Sequence, residues 1–316
     1  MKKLLLLLLA LPGICFSQSY PSKPVRIVLP FGPGGIADIV TRTIAPRLGE
    51  GLGQQVVVEN LPGAGGIRAA EAVARAEPDG HTLLLLTNGN AVSQALFKSL
   101  PYDPVNDFAM ISTVAYFSMV IVTGEKSPAK TLQDMIAMAK ANPGKLNIGT
   151  ITPGGTQHLA GELFRSTAGI DALVVPHKTT GEVIIATRNG NVDLAVDFVA
   201  PLLSNIRSGA LRALAVTAGK RFPGLPDVPT VIESGVAGYD VSSWNALAAP
   251  GKTPRAVVDR VQQELVKALA APEVQKRFGE LGVDGRTSTP AELREFFVSE
   301  SRRWARVVEA AKIPKQ

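Results

Sequence analysis

Short apolar runs alternate with helical patterns along almost the whole chain, and no other feature limits the possible fold as strongly. Strands are expected at residues 25–29, 55–59, 82–87, 119–123, 146–150, 172–176, 192–197, 211–217 and 243–249. Several are apolar throughout, such as "TLLLLT" at 82–87, which is how a strand buried on both faces reads. Amphipathic segments such as 36–48 and 67–76 lie between them. The alternation predicts an α/β protein whose mainly parallel sheets carry helices on both faces. With 316 residues, 46% of them apolar, the chain is long enough for two such units.

Helix starts are marked clearly. Thr131 stands before one, and Thr289-Pro290-Ala291-Glu292 joins a capping box to proline at the first helical position. Thr253-Pro254 has the same form, ahead of a stripe of Val257, Val261, Leu265 and Leu269. The last helix, at 291–311, is expected to pack through Phe296, Phe297, Trp304, Val307 and Val308.

Lys2 and Lys3 precede an apolar run at 4–11 that Pro12 and Gly13 interrupt. Eight apolar residues are too few to cross about 30 Å of hydrocarbon. Residues 1–17 are read as a secretory signal cut near Ser17–Gln18, which points to export of the chain. The cut removes Cys15, the single cysteine, so disulfides are not expected to stabilise the fold. It also removes two of the 33 Lys and Arg against 27 Asp and Glu, lowering the net charge from +6 to +4. That excess is scattered, with no basic run suited to nucleic acid.

Chemistry-bearing motifs are few. The three histidines, His81, His158 and His177, show no metal-ligand spacing, and no nucleophile elbow is present. The stretch "PFGPGGIAD" at 30–38 runs from a strand into a helix. Gly32, Gly34 and Ala37 fit G-x-G-x-x-A, with Glu59 at the end of the next strand, as in a dinucleotide fingerprint. Pro33 and export of the chain weigh against a retained dinucleotide, and the lysine and hydroxyl of a phosphate loop are missing. The third reading is a cradle for a carboxylate, in which glycines admit the ligand to unpaired helix N–H groups. The stretch "TITPGGTQH" at 150–158 repeats this layout. Asp38 and His158 each fall three residues after the second glycine, which suggests two similar lobes. "NLPGAGGIRAA" at 60–70 is read as a tight structural turn. "TNGN" at 87–90 sets Asn88 or Asn90 at the carboxyl end of a strand, where ligands of open α/β sheets sit.

These blocks, with "GQQVVVENLPGAGG", "EPDGHTLLL", "LPYDPVNDF" and "LRALAVTAGKRFPGLPDVPTVIESG", resemble the Bug-type extracytoplasmic solute receptors, the binding components of tripartite tricarboxylate transporters. The resemblance runs from about Tyr20 to the C-terminus. It implies a two-lobed, Venus-flytrap periplasmic receptor that closes on a small organic carboxylate. It also implies a monomer without cofactor, served by one large and one small integral membrane subunit. By motif, the ligand contacts fall on Phe31, Gly34, Gly35, Thr152, Gly155, Thr156 and His158, partly through water, with Asp197 facing the cleft. Asp38 is expected to support its turn. The chain departs from the family at Pro176-His177-Lys178-Thr179, where Tyr and Gly are usual, and His177 is a candidate contact for the far end of the ligand. Crossings are expected near 119–123 and 244–249, giving lobe one as 18–121 plus 244–316 and lobe two as 122–243. A dinucleotide-dependent oxidoreductase and a sensing receptor without a transport role are the competing readings.

Overall fold

The computed structural model describes residues 20–151 and 154–316; the expected signal segment and Thr152 lie outside the described residues. The chain runs β1 (Val25–Leu29), α1 (Ile36–Leu52), β2 (Val56–Asn60), α2 (Ile67–Ala74), β3 (Thr82–Thr87), α3 (Asn88–Leu96) and β4 (Phe108–Gly124). It continues through α4 (Leu132–Ala141), β5 (Leu146–Ile151), α5 (Thr156–Thr167), β6 (Ala172–His177), α6 (Thr180–Asn189), β7 (Leu194–Phe198), α7 (Val199–Arg207) and β8 (Leu211–Val216). The return comprises β9 (Ser242–Pro250), α8 (Arg255–Ala270), α9 (Pro272–Leu281), β10 (Val283–Gly285) and α10 (Pro290–Ala310).

Two sheets share β4, and they form the two lobes of an α/β fold. The strand order is β2-β1-β3-β9-β4-β7-β5-β6, with β8 and β10 also on β4. In the first sheet β1 pairs parallel to β2 and β3, while β9 and β10 run antiparallel to their neighbours. In the second, β5 is parallel to β6 and β7, and β7 and β8 are antiparallel to β4. The sheets are therefore mixed, where the sequence suggested mainly parallel ones. Only the βα units, whose helices carry the chain back to the same edge, can give parallel pairs. The strands that pass between sheets run against their partners.

β4 changes sheet in mid-strand: Ser118 still pairs with Ser242 of β9, and Met119 pairs with Phe198 of β7. The chain returns at Val241, whose N–H bonds Thr217 in the second lobe, and Ser242 re-enters the first sheet. Burial on both sheet faces follows the two-residue period. Leu83 and Leu85 join one core with Ile27, Val40, Ile44, Val261 and Leu265, and Leu84 and Leu86 join the opposite core with Ala69, Val73, Trp244 and Phe297. The second sheet is covered by α4 and α5 on one face and by α6 and α7 on the other.

α10 links the two lobes. Its 21 residues reach about 30 Å at 1.5 Å per residue. Leu293 and Phe297 pack in the first lobe's core, and Trp304, Val307 and Val308 pack in the second lobe's core with Met135 and Leu159. Its distal half thus packs at the junction of the lobes, against Val92 and Leu96 of α3 as well as against the second lobe. Its capping box forms as expected, with Glu292 N donating to Thr289 Oγ1 at 3.2 Å and Thr289 N to Glu292 Oε2 at 2.7 Å. Thr253 makes no such cap. Pro254 occupies the N-cap of α8, and the buried Thr253 hydroxyl has no partner among the described residues.

Candidate ligand cleft between the lobes

The two glycines of each PGG turn have the same backbone. Gly34 and Gly154 take φ of 84° and 75°, a region where a side chain is strained, and these positions therefore demand glycine. The glycine after each is the helix N-cap, Gly35 at φ −74°, ψ 164° and Gly155 at φ −71°, ψ 167°. Each turn is tied by the residue four positions on. Gly34 N donates to Asp38 Oδ2 at 3.0 Å, and Gly154 N donates to His158 Nδ1 at 3.1 Å. The two glycines per turn then leave the N–H groups that follow, at the helix N-termini, free to meet a ligand.

The braces differ in charge. Asp38 binds Arg42 Nε at 3.0 Å and Asn60 Nδ2 at 2.9 Å, and Asn60 Nδ2 also reaches the Phe31 carbonyl at 3.0 Å. The Arg42 guanidinium, opposed by burial and helped by the Gly34 N–H and the Asn60 amide, lowers the Asp38 carboxyl to about 2. His158 is buried, and burial pushes its imidazole below the ordinary histidine value while Glu162 pulls the other way. The ring is therefore neutral and accepts at Nδ1.

The turns open on one cavity of about 660 Å³ between the lobes. Phe31, Gly35, Ile36, Gly155 and Thr156 line it, together with Asn88 and Gly89 at the start of α3. Gly63, Gly65 and Gly66 line it as well, so the loop read as a structural turn is also part of the wall. Phe97, Phe117, Phe198 and Trp304 supply aromatic faces, and Ser243 and Asn245 of β9 form a polar corner. None of the described lining residues is Lys, Arg, His, Asp or Glu. Positive potential comes instead from helix N-termini: those of α1, α2, α3, α5 and α7 all present residues to this space.

Four expected contacts are occupied elsewhere. Gly34 shapes its turn and spends its N–H on Asp38. Asn90 Oδ1 accepts from Thr87 N at 2.9 Å and from Thr87 Oγ1 at 3.2 Å, closing the capping box of α3. His158 braces its loop. Asp197 is fully buried and accepts from Phe198 N at 2.7 Å, Thr180 Oγ1 at 2.7 Å and Gln157 Nε2 at 3.0 Å. Burial raises its carboxyl against those three donors. Asp197 thus ties β7 to α5 and α6 and aims Gln157, itself a lining residue, toward the cavity. His177 sits at the end of β6 with Nδ1 3.1 Å from the Val175 carbonyl and does not line the cavity.

Sequence reasoning missed Gln157, Phe117, Phe198, Ser243, Asn245 and Trp304. Gln157 had a signal, being next to Thr156 in the first helical turn. The others come from distant segments that only strand register brings here. Phe117, Ser243 and Asn245 share one face of the crossing strands; Tyr116, Ser118, Ser242 and Trp244 face a separate hollow of about 1200 Å³ behind them. Among the described residues no group of His, Cys, Asp and Glu is arranged to hold a metal, and no helix is long and apolar enough to cross a membrane.

Comparison with known proteins agrees with this geometry. The chain is 34% identical to protein BugT of Bordetella pertussis over 294 residues, 92% of this chain and 90% of BugT. The structure of Rpa4515 from R. palustris with adipate superposes with a TM-score of 0.80 at 31% identity, covering 94% of this chain and all of that one. MatC from Rhodopseudomonas palustris with bound malate gives 0.76 at 31% identity over 92% of this chain and all of that one. A family model described as the tripartite tricarboxylate transporter family receptor matches residues 40–313. The chain therefore belongs to the tripartite tricarboxylate transporter receptors, a family of periplasmic solute-binding proteins.

Proposed function

We propose that this receptor captures a small organic carboxylate between its two lobes in the periplasm and delivers it to the large and small membrane subunits of a tripartite transporter. The observation that carries the reading is the pair of matched glycine turns, one from each lobe, opening on one cavity with no ionisable side chain among the described lining residues. A carboxylate there meets N–H groups of α1 and α5, including those of Gly35 and Thr156. Phe31 and the Thr156 hydroxyl complete the contact, and Thr152 is assigned to the same loop by motif. A helix dipole alone contributes about 0.3–2 kcal/mol. Charge-assisted hydrogen bonds add about 1.5–3 kcal/mol each. At the upper end of that range four of them give about 12 kcal/mol, which less an association cost of about 4 kcal/mol reaches the roughly 8 kcal/mol of a micromolar complex.

The adipate and malate in two relatives of the same fold favour a carboxylate here. The changes of sheet at Ser118–Met119 and Val241–Ser242 are the proposed hinge, with α10 limiting the motion by packing on both lobes. Ligand bound first by one loop gains the other loop's donors on closure.

A thermal-shift panel of mono-, di- and tricarboxylates on the purified chain tests this. A true ligand at 100 times its dissociation constant stabilises by about 2.7 kcal/mol, and stabilisation keeps rising with concentration. A panel in which no carboxylate shifts the transition would overturn the reading.

A further inference from the structure

The polar corner of the cavity has an unusual hydrogen-bond inventory. Thr87, the last residue of β3, pairs in register with Asn245 of β9, and Asn88 follows directly as the first residue of α3. Asn88 and Asn245 are therefore neighbours on two elements. They are only 4% and 3% exposed, and both line the cavity. Asn245 Nδ2 donates to the Trp244 carbonyl at 3.0 Å. A carbonyl only accepts, which fixes the amide orientation and leaves Asn245 Oδ1 without a donor. Asn245 Oδ1 and both amide atoms of Asn88 have no partner among the described residues. Folded proteins rarely leave buried amides unpaired, and such groups beside a binding cavity are expected to find partners on the ligand.

The unpaired atoms are two acceptors and one donor. An ionised carboxylate can only accept, so it satisfies the Asn88 amine and is repelled by both Oδ1 atoms. The group that fits must donate as well as accept. An ammonium donates, but it would stand among the positive ends of several helices with no Asp or Glu side chain among the described lining residues. A hydroxyl supplies one donor and two acceptor positions without charge, so it can pair one Oδ1 and the Asn88 amine at the same time. We propose that Asn88 and Asn245 form a hydroxyl-recognition corner and that the ligand is a hydroxy acid, its carboxylate on the PGG turns and its hydroxyl between the two asparagines. This rests on the carboxylate-receptor reading above and deepens it.

The test compares acids that differ by one hydroxyl: malate with succinate, lactate with propionate, 4-hydroxybenzoate with benzoate. Binding to the purified chain is followed by calorimetry and by the fluorescence of its two tryptophans, of which Trp304 lines the cavity. For at least one pair the hydroxylated acid is expected to bind ten-fold tighter or more, since a site built to pair a hydroxyl rejects the analogue lacking it. Asn88→Leu and Asn245→Leu are expected to reduce that preference to less than three-fold while leaving the unfolding midpoint unchanged or higher. Carboxylates that bind with no hydroxyl preference, or leucine variants that keep it, would overturn this inference and leave the receptor reading standing. Failure of every acid to bind overturns both. The wild-type comparison decides the matter even where a variant does not fold.

Discussion

Replacing His158 by leucine removes the acceptor that holds Gly154 N at 3.1 Å, while the Asp38 brace of the other turn stays intact. Leucine fills most of the buried space, so the change isolates one neutral hydrogen bond. Such a bond contributes about 0.5–1.5 kcal/mol net. If loop order and ligand contact are coupled, 1 kcal/mol weakens binding about five-fold. Asp38→Leu is the harsher variant, because it removes charge-assisted bonds to Gly34 and Arg42 worth about 1.5–3 kcal/mol each. The two braces also differ in pH response. The folded-state pKa of His158 is lowered, so between that value and about 6.5 the unfolded chain binds the extra proton. Stability from the neutral ring is thus full above about 6.5 and is lost as pH falls through the window below it. Asp38, lowered to about 2, contributes above about 3.9 and loses its share only as pH falls toward 2. Urea unfolding and calorimetry from pH 5 to pH 8 should show an acid-side loss in the wild type that His158→Leu diminishes. A variant with the wild-type slope below pH 6.5 and unchanged affinity at pH 8 would refute the brace assignment.

Other outcomes follow from the same geometry. Gly34→Ala meets open space and carries only the strain of positive φ, about 1–2 kcal/mol, whereas at Gly154 the added carbon also comes within 3.0 Å of Leu96 Cδ1; thermal unfolding should rank Gly154→Ala as the more damaging. Glu300 accepts from Trp304 Nε1 at 3.0 Å and Trp244 Nε1 at 3.3 Å, so Glu300→Leu strands two buried indole donors and should cost roughly 2–5 kcal/mol in urea unfolding, with Glu300→Gln milder. Ala218→Trp fills the hollow behind the crossing strands, which should favour closure in front and tighten binding about three- to ten-fold by calorimetry; unchanged or weaker binding would count against the hinge.

Much of the fold is legible in the sequence because most strands are apolar runs with turn residues at both ends. All nine expected strands have a counterpart, and β1 and β3 match at both ends. The first half of β4 was hidden because Ser112, Thr113 and Ser118 break its apolar run and register shifts at Met110–Ser112 and Thr113–Ala115 disturb its period. β10 has three residues, too few for any pattern. The PGG echo and the supporting role of Asp38 could be read directly, since both depend on residues a few positions apart. Which polar groups face the ligand could not. Asn88 lines the cavity and Asn90, two residues on in the same helix, closes a cap; Gln157 lines it and its neighbour His158 braces a loop. Asp197 is consumed by Thr180 and Gln157, partners that lie 17 and 40 residues away.

In the proposed complex, backbone donors of two matched turns, rather than a charged side chain, hold the carboxylate. A crystal structure of the chain with the most strongly stabilising acid from the thermal-shift panel tests it most directly. Carboxylate oxygens are expected within about 3.2 Å of backbone nitrogens from both the Gly35–Ile36 and Gly155–Thr156 segments, directly or through a single water. A carboxylate paired with a lysine or arginine, or an acid seated in the hollow behind β4 and β9, would contradict it.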